Sequence, residues 1–439
     1  MPKTKKKSKI KAKQHKTTPR QELDISLNTF LIDLDCGFEV FEVVDPVLKK
    51  RDDDRNQRIK EFYEQLQKAG TDKEQKSEVF NQGLPRFFSD VRKLERGHKL
   101  FRSNTFIALV SRFDEFVGDV IRCIHKAHPD RLKSSEKSLS YDELIRLTDI
   151  NQAVNCLIDK EVDKVLRDSH TEQIQHIEKK LNLKFRESLT CWSQFVELTE
   201  RRNILVHCGG AISPQYLKVC KSNKVDLAVG NKEGNRLVVD QEYFDTAHSV
   251  LYEIGLKLGQ TVLRNLFPAE LKAIDSSFNN FGVELLSEER WKLAKMFFEF
   301  ATSLPTNQIA DDEMRKVFLI NRAIALKFSG DKNGCKSVLD KEDWSSANST
   351  FKLATHILRD EFPQAGKIMN SMNADEPIGE DGFRTWPLFR NFRQTEEFRK
   401  AYKTIYKKEF SQFDAARQIQ EQVTKQISGG EVSTNPTKV

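Results

Sequence analysis

The chain has 439 residues, 31% charged and 38% hydrophobic, with a formal net charge of +7. At roughly 100–200 residues per domain, that length predicts two to four domains, with enough chain to bury more than one core. The longest apolar runs, such as Phe106 to Val110, fall well short of the roughly 18 residues a membrane span needs, which excludes a transmembrane protein.

Charge is concentrated at the start. Residues 1–20 contain Lys3, Lys5, Lys6, Lys7, Lys9, Lys11, Lys13, Lys16 and Arg20 with no acid, so they carry +9 and leave −2 for the remaining 419. Such a block has little apolar area to bury, and residues 1–22 read as a basic disordered tail. The tail suits contact with nucleic acid through counterion release, nuclear targeting, or simple solubilisation. No apolar core follows its lysines, so it does not read as a secretory signal.

Helical periodicity dominates the rest and strand alternation is nearly absent, so the expected fold class is all-α. Residues 23–95 predict an N-terminal helical extension of several stretches. The clearest is Asp54 to Lys68, with Ile59, Phe62, Tyr63 and Leu66 opposite a charged side. The best helix runs from about Asn104 to Lys126, capped by Ser103 or Asn104 and ended by Pro129. His125 and His128, just before that proline, read as capping or surface residues. Shorter helices follow at about 140–149, 151–168 and 170–181. Another spans about 188–207 and breaks at Gly209-Gly210. Residues 208–240 read as loop, and a long amphipathic helix covers about 241–266.

After a short linker, residues 283–412 predict helix pairs with a weak repeat. At an offset of 30, Ala323, Phe328, Cys335, Val338 and Leu339 superpose on Leu353, Leu358, Ala365, Ile368 and Met369. This pattern resembles degenerate tetratricopeptide-type repeats, although few consensus positions remain. The aromatic segment Trp386-Pro387-Leu388-Phe389 onward looks like the end of such an array. Residues 428–439 read as a second disordered tail.

Seven cysteines, odd in number and without a CxxC pair, argue against a disulfide framework or a cysteine zinc site. They suit a reducing, cytoplasmic setting, and the residues suggest no metal and no cofactor. Walker A, GxGxxG, HExxH and GxSxG motifs are not found.

One string carries chemistry: Glu200-Arg201-Arg202-Asn203-Ile204-Leu205-Val206-His207, at the end of the 188–207 helix. At about 100° per residue, Arg202 falls in the middle of the apolar arc of Trp192, Phe195, Val196, Leu198, Leu205 and Val206. Asn203, His207 and Glu200 line the edge of that arc. A guanidinium there needs an anionic partner, either a carboxylate or a phosphate. Asn203 stands four residues before His207, close enough to orient its imidazole. A titratable histidine near an arginine suits phosphodiester cleavage.

Arg202-Asn203, three residues, then His207 is similar to the R-[polar]-x(3)-H signature of the HEPN superfamily. The wider string through Gly209-Gly210, with Tyr216 soon after, resembles the subset reading RRNxxVHxxG. The resemblance covers residues 96–268. It implies a helical bundle that usually dimerises so that two motifs share one cleft. It also implies a metal-independent endoribonuclease that cleaves RNA through a 2′,3′-cyclic phosphate, with Arg202, Asn203 and His207 as catalytic residues. By family analogy the setting is prokaryotic antiphage defence or a toxin–antitoxin system, with the repeats as a sensor or protein-partner domain. An acidic residue on the preceding long helix often accompanies the site in relatives. The candidates here are Asp114, near the apolar edge, and Glu115, on the solvated face; neither is assigned. The rival expectation is a non-catalytic HEPN/helical-repeat scaffold that binds RNA or protein.

Overall fold

The computed structural model describes residues 17–68, 73–134, 138–227, 232–373 and 378–411. Most of the basic tail and all of 428–439 lie outside them, as do Gly230 and Asn231. Among the described residues the chain is all-α, and its only extended pairing is one isolated bridge between Ala211 and Arg236. No helix there is long and apolar enough to cross a membrane. The chain divides into two compact units on either side of Ala269.

The first unit opens with α1 (Pro19–Lys68), followed by α2 (Lys73–Lys93) and α3 (Arg96–Ala127). The several stretches expected over 23–95 are therefore mostly one 50-residue helix. It runs through Pro46, whose ring removes one backbone hydrogen bond. The helix α3 starts earlier than expected, so Ser103 and Asn104 lie inside it and cap nothing. His125 is fully buried, which corrects its reading as a surface residue. The unit continues with α4 (Tyr141–Leu144), α5 (Ile150–Val165), α6 (His170–Leu181), α7 (Trp192–His207), α8 (Pro214–Ser222) and α9 (Gln241–Leu266). The segment 208–240 thus contains a helix, with Ser213 as N-cap and Pro214 at its start.

Helices α1, α3 and α9 share one core. Leu23, Leu27, Phe30, Leu31, Leu34 and Phe41 of α1 are all buried. Phe30 stacks on Phe116 at 4.9 Å between ring centroids, and Phe41 stacks on Phe244 at 3.7 Å. The residues expected to form a separate extension are therefore continuous with the core of 96–268. Two glycines let α9 approach: a Cβ on Gly255 would lie 2.1 Å from Phe30 Cε1, and one on Gly259 would lie 2.8 Å from Leu27. Gly255→Ala forces the Phe30 ring to move and is expected to destabilise this unit by about 1–3 kcal/mol. Urea unfolding followed by circular dichroism measures that loss.

The second unit contains α10 (Leu271–Ser287), α11 (Trp291–Ser303), α12 (Asp312–Phe328), α13 (Lys332–Asp340), α14 (Ser349–Leu358), α15 (Phe362–Asn370), α16 (Gly379–Thr385) and α17 (Glu396–Tyr406). The linker expected before 283 is part of α10. Helices α12 and α13 form one antiparallel pair, and α14 and α15 form the next. The superposed repeat residues Cys335 and Ala365 are both buried. Lys327 at the end of α12 donates to the Ile357 and Leu358 carbonyls, both at 3.0 Å, and to Asp360 at 2.6 Å. Its ammonium thereby caps α14, where the helix dipole favours positive charge. Phe389, Phe392, Phe398 and Tyr402 close the unit, all of them buried.

Candidate functional site

The helix α7 is anchored by Phe195, Val196 and Leu198, which are buried. Its end is set by the glycine pair. Gly209 and Gly210 take φ of +57° and +87°, a backbone region favourable to glycine. The Gly210 N–H returns to the Ile204 carbonyl at 3.1 Å, and Leu237 N–H donates to the Gly210 carbonyl at 2.9 Å. Ile204, Ile212, Tyr216, Cys220 and Leu237 make a small core under this turn. The backbone around His207 is therefore tied down on both sides.

The two arginines of the string have different partners. Arg201 donates Nε to Glu197 Oε1 at 2.7 Å and a terminal nitrogen to the Val238 carbonyl at 2.8 Å. Its guanidinium carbon lies 3.7 Å from the centroid of the Tyr243 ring. Glu197 also accepts from the hydroxyls of Tyr216 and Tyr243, each at 2.6 Å. Burial first, and then the Glu197 carboxylate, push both phenols well above their ordinary range. This is a closed, buried ion-pair network joining α7, α8 and α9.

Arg202 turns instead toward α3. It donates to Asp114 Oδ2 at 3.0 Å and to the neighbouring Asn203 Oδ1 at 3.1 Å. The other oxygen of Asp114 contacts His170 Nε2 at 2.7 Å. The Arg202 Nε is buried and has no hydrogen-bond partner among the described residues. The anionic partner that this arginine needs is thus a carboxylate of the same chain. Glu115 lies exposed and paired with Arg112. Glu200 is half-buried; desolvation raises its carboxyl, and the charge of His170 opposes that shift. No family model, curated protein or solved structure matches this chain.

His207 is exposed, and its imidazole makes no hydrogen bond among the described residues. The amide–imidazole bond expected between Asn203 and His207 is not made; the Asn203 Oδ1 accepts from Arg202 instead. Nearby, Leu205 and Gly209 border a cleft of about 850 Å³. Lys49, Arg96, Lys99 and Arg236 line it, but so do Asp52, Asp53, Glu95 and Asp240, and neither Arg202 nor His207 does.

The structure therefore brings together Arg202, Asn203, Asp114 and His170, with His207 in the last turn of the same helix. Sequence reasoning missed His170 and Glu197. His170 follows the N-cap Ser169, whose side chain pairs with Glu172 in a capping box. That box fixes the start of α6 and was legible, but it gives no hint that His170 reaches an aspartate on α3. Glu197 precedes Arg201 by four residues, a spacing that pairs opposite charges on a helix.

Proposed function

We propose that the protein is a metal-independent HEPN-type endoribonuclease acting through Arg202, Asn203 and His207. It would work as a homodimer in prokaryotic antiphage defence or a toxin–antitoxin system, with the second unit as a sensor or partner domain resembling tetratricopeptide repeats. The observation that carries this reading is the exposed, hydrogen-bond-free imidazole of His207 on the same helix end as a positioned arginine.

RNA cleavage by the 2′-hydroxyl needs a base to take the 2′ proton and an acid to protonate the departing 5′-oxygen. The P–O5′ bond breaks as the 2′-O–P bond forms, leaving a 2′,3′-cyclic phosphate and a 5′-hydroxyl. Arg202 offsets the charge gathering on the pentavalent phosphorus. Asp114 and Asn203 hold its guanidinium in place. Each chain offers one exposed imidazole on this helix end, His207, and two copies facing each other supply both proton-transfer groups. That arithmetic supports the dimer.

Full-length protein incubated with total RNA and tRNA in EDTA is expected to give fragments with cyclic-phosphate ends. RNA binding without product at any enzyme concentration would overturn the nuclease reading. It would favour the scaffold, for which one observation speaks: Arg202 already has its countercharge in Asp114. Asp114→Asn gives a finer test. It removes half of the ion pair, and an arginine misplaced by about an ångström loses roughly 10²-fold in rate. Its stability should fall by only about 1 kcal/mol, because the pair is partly solvated. Comparing cleavage rates with thermal melting separates the two effects.

A further inference from the structure

Away from the end of α7, three side chains from three helices converge inside the first unit. His125 lies in the last turn of α3, Glu161 in α5 and His176 in α6. One ligand atom from each lies within 4.8 Å of the other two. His125 is fully buried and Glu161 is 5% exposed. The Nε2 of His176 is buried and has no hydrogen-bond partner among the described residues. Their neighbours along the chain are apolar and buried, Ile124 beside His125, Val162 beside Glu161 and Ile177 beside His176.

We propose that His125, Glu161 and His176 bind one divalent transition-metal ion, zinc in the first instance, as a structural clamp across α3, α5 and α6. Two imidazoles and one carboxylate are a donor set that zinc accepts, with water at the fourth position. Hard cations such as magnesium and calcium prefer all-oxygen sites and fit poorly. Zinc bound at about 2.0–2.2 Å needs its ligand atoms roughly 3.4 Å apart, so small side-chain rotations would complete the site. The ligand form of histidine is neutral. Burial lowers the basicity of His176, Lys180 and Lys164 act in the same direction, and Glu161 and Asp168 oppose them.

The clamp would bear on the α7 site indirectly. His125 follows Asp114 on α3 by a rise of about 16 Å, and His176 follows His170 on α6. Fixing α6 against α3 at one end steadies the Asp114–His170 contact at the other. The metal site does not depend on the nuclease reading, and it is tested by binding alone.

Full-length protein, stripped with EDTA and dialysed, would be titrated with zinc by calorimetry and thermal melting. The expected result is one bound equivalent and a Tm that rises with zinc concentration. Cobalt in place of zinc should show no thiolate charge-transfer band, which separates this site from the free cysteines. His176→Ala and Glu161→Gln should each lower zinc affinity by roughly tenfold or more, with helical content by circular dichroism unchanged. His176 is only part-buried, and Glu161→Gln keeps the side-chain shape, so one of the two is expected to stay folded. No binding, a thiolate band, or undiminished affinity in a folded variant would each overturn the proposal.

Discussion

Glu197→Ala is expected to destabilise the first unit by roughly 3–5 kcal/mol, the largest stability loss of any single substitution considered. Removing one partner of a buried ion pair costs about that much, because the other charge stays in low dielectric without compensation. Arg201 is only 13% exposed at its side chain, and it would lose the acceptor of its Nε. The hydroxyls of Tyr216 and Tyr243 would lose theirs as well. Helix α7 would then be held to α8 and α9 mainly by apolar contact. Urea unfolding at neutral pH reads the effect. Glu197→Gln, which retains acceptor capacity but no charge, should lose less. Equal stability for wild type and Glu197→Ala would show that Arg201 finds another partner or reaches water.

His207→Ala should have the opposite profile. Removing a general acid–base lowers a rate by about 10²–10⁴-fold, so RNA cleavage is expected to vanish in an ordinary assay. Stability should change by no more than about 0.5 kcal/mol, because an exposed side chain without a hydrogen bond contributes little to folding. Product yield from tRNA in EDTA and thermal melting together test this. Cleavage unchanged in the variant would sink the proposed mechanism. Toxicity of wild type on expression, absent in the variant, would show the same difference in cells.

The contrast between Glu197 and His207 shows what a single sequence discloses. The long helix α9 was legible almost to the residue, because its apolar positions recur over many turns. The end of α7 was legible from the glycine pair. The unbroken course of α1 was not, since Pro46 normally signals a boundary and the charged stretch after it carries little apolar periodicity. Helix periodicity puts Asp114 nearer the apolar edge of α3 than Glu115, and their side chains are 25% and 65% exposed. It could not say that Asp114 reaches Arg202, since helix periodicity gives the face of one helix and not its neighbour. The same limit hid the meeting of His125, Glu161 and His176. Their separations in sequence resemble no metal-binding spacing, and only the packing of α3, α5 and α6 brings them together.

The shared core of α1, α3 and α9 has a consequence for biosynthesis. Phe30 and Leu27 are made more than two hundred residues before the glycines that receive them, Gly255 and Gly259. At about 5–20 residues per second, a ribosome takes roughly ten to fifty seconds to reach them. Over that interval the face of α1 can be covered by α3 alone. The nascent chain therefore exposes a sticky helix face, a natural substrate for a holding chaperone until α9 emerges.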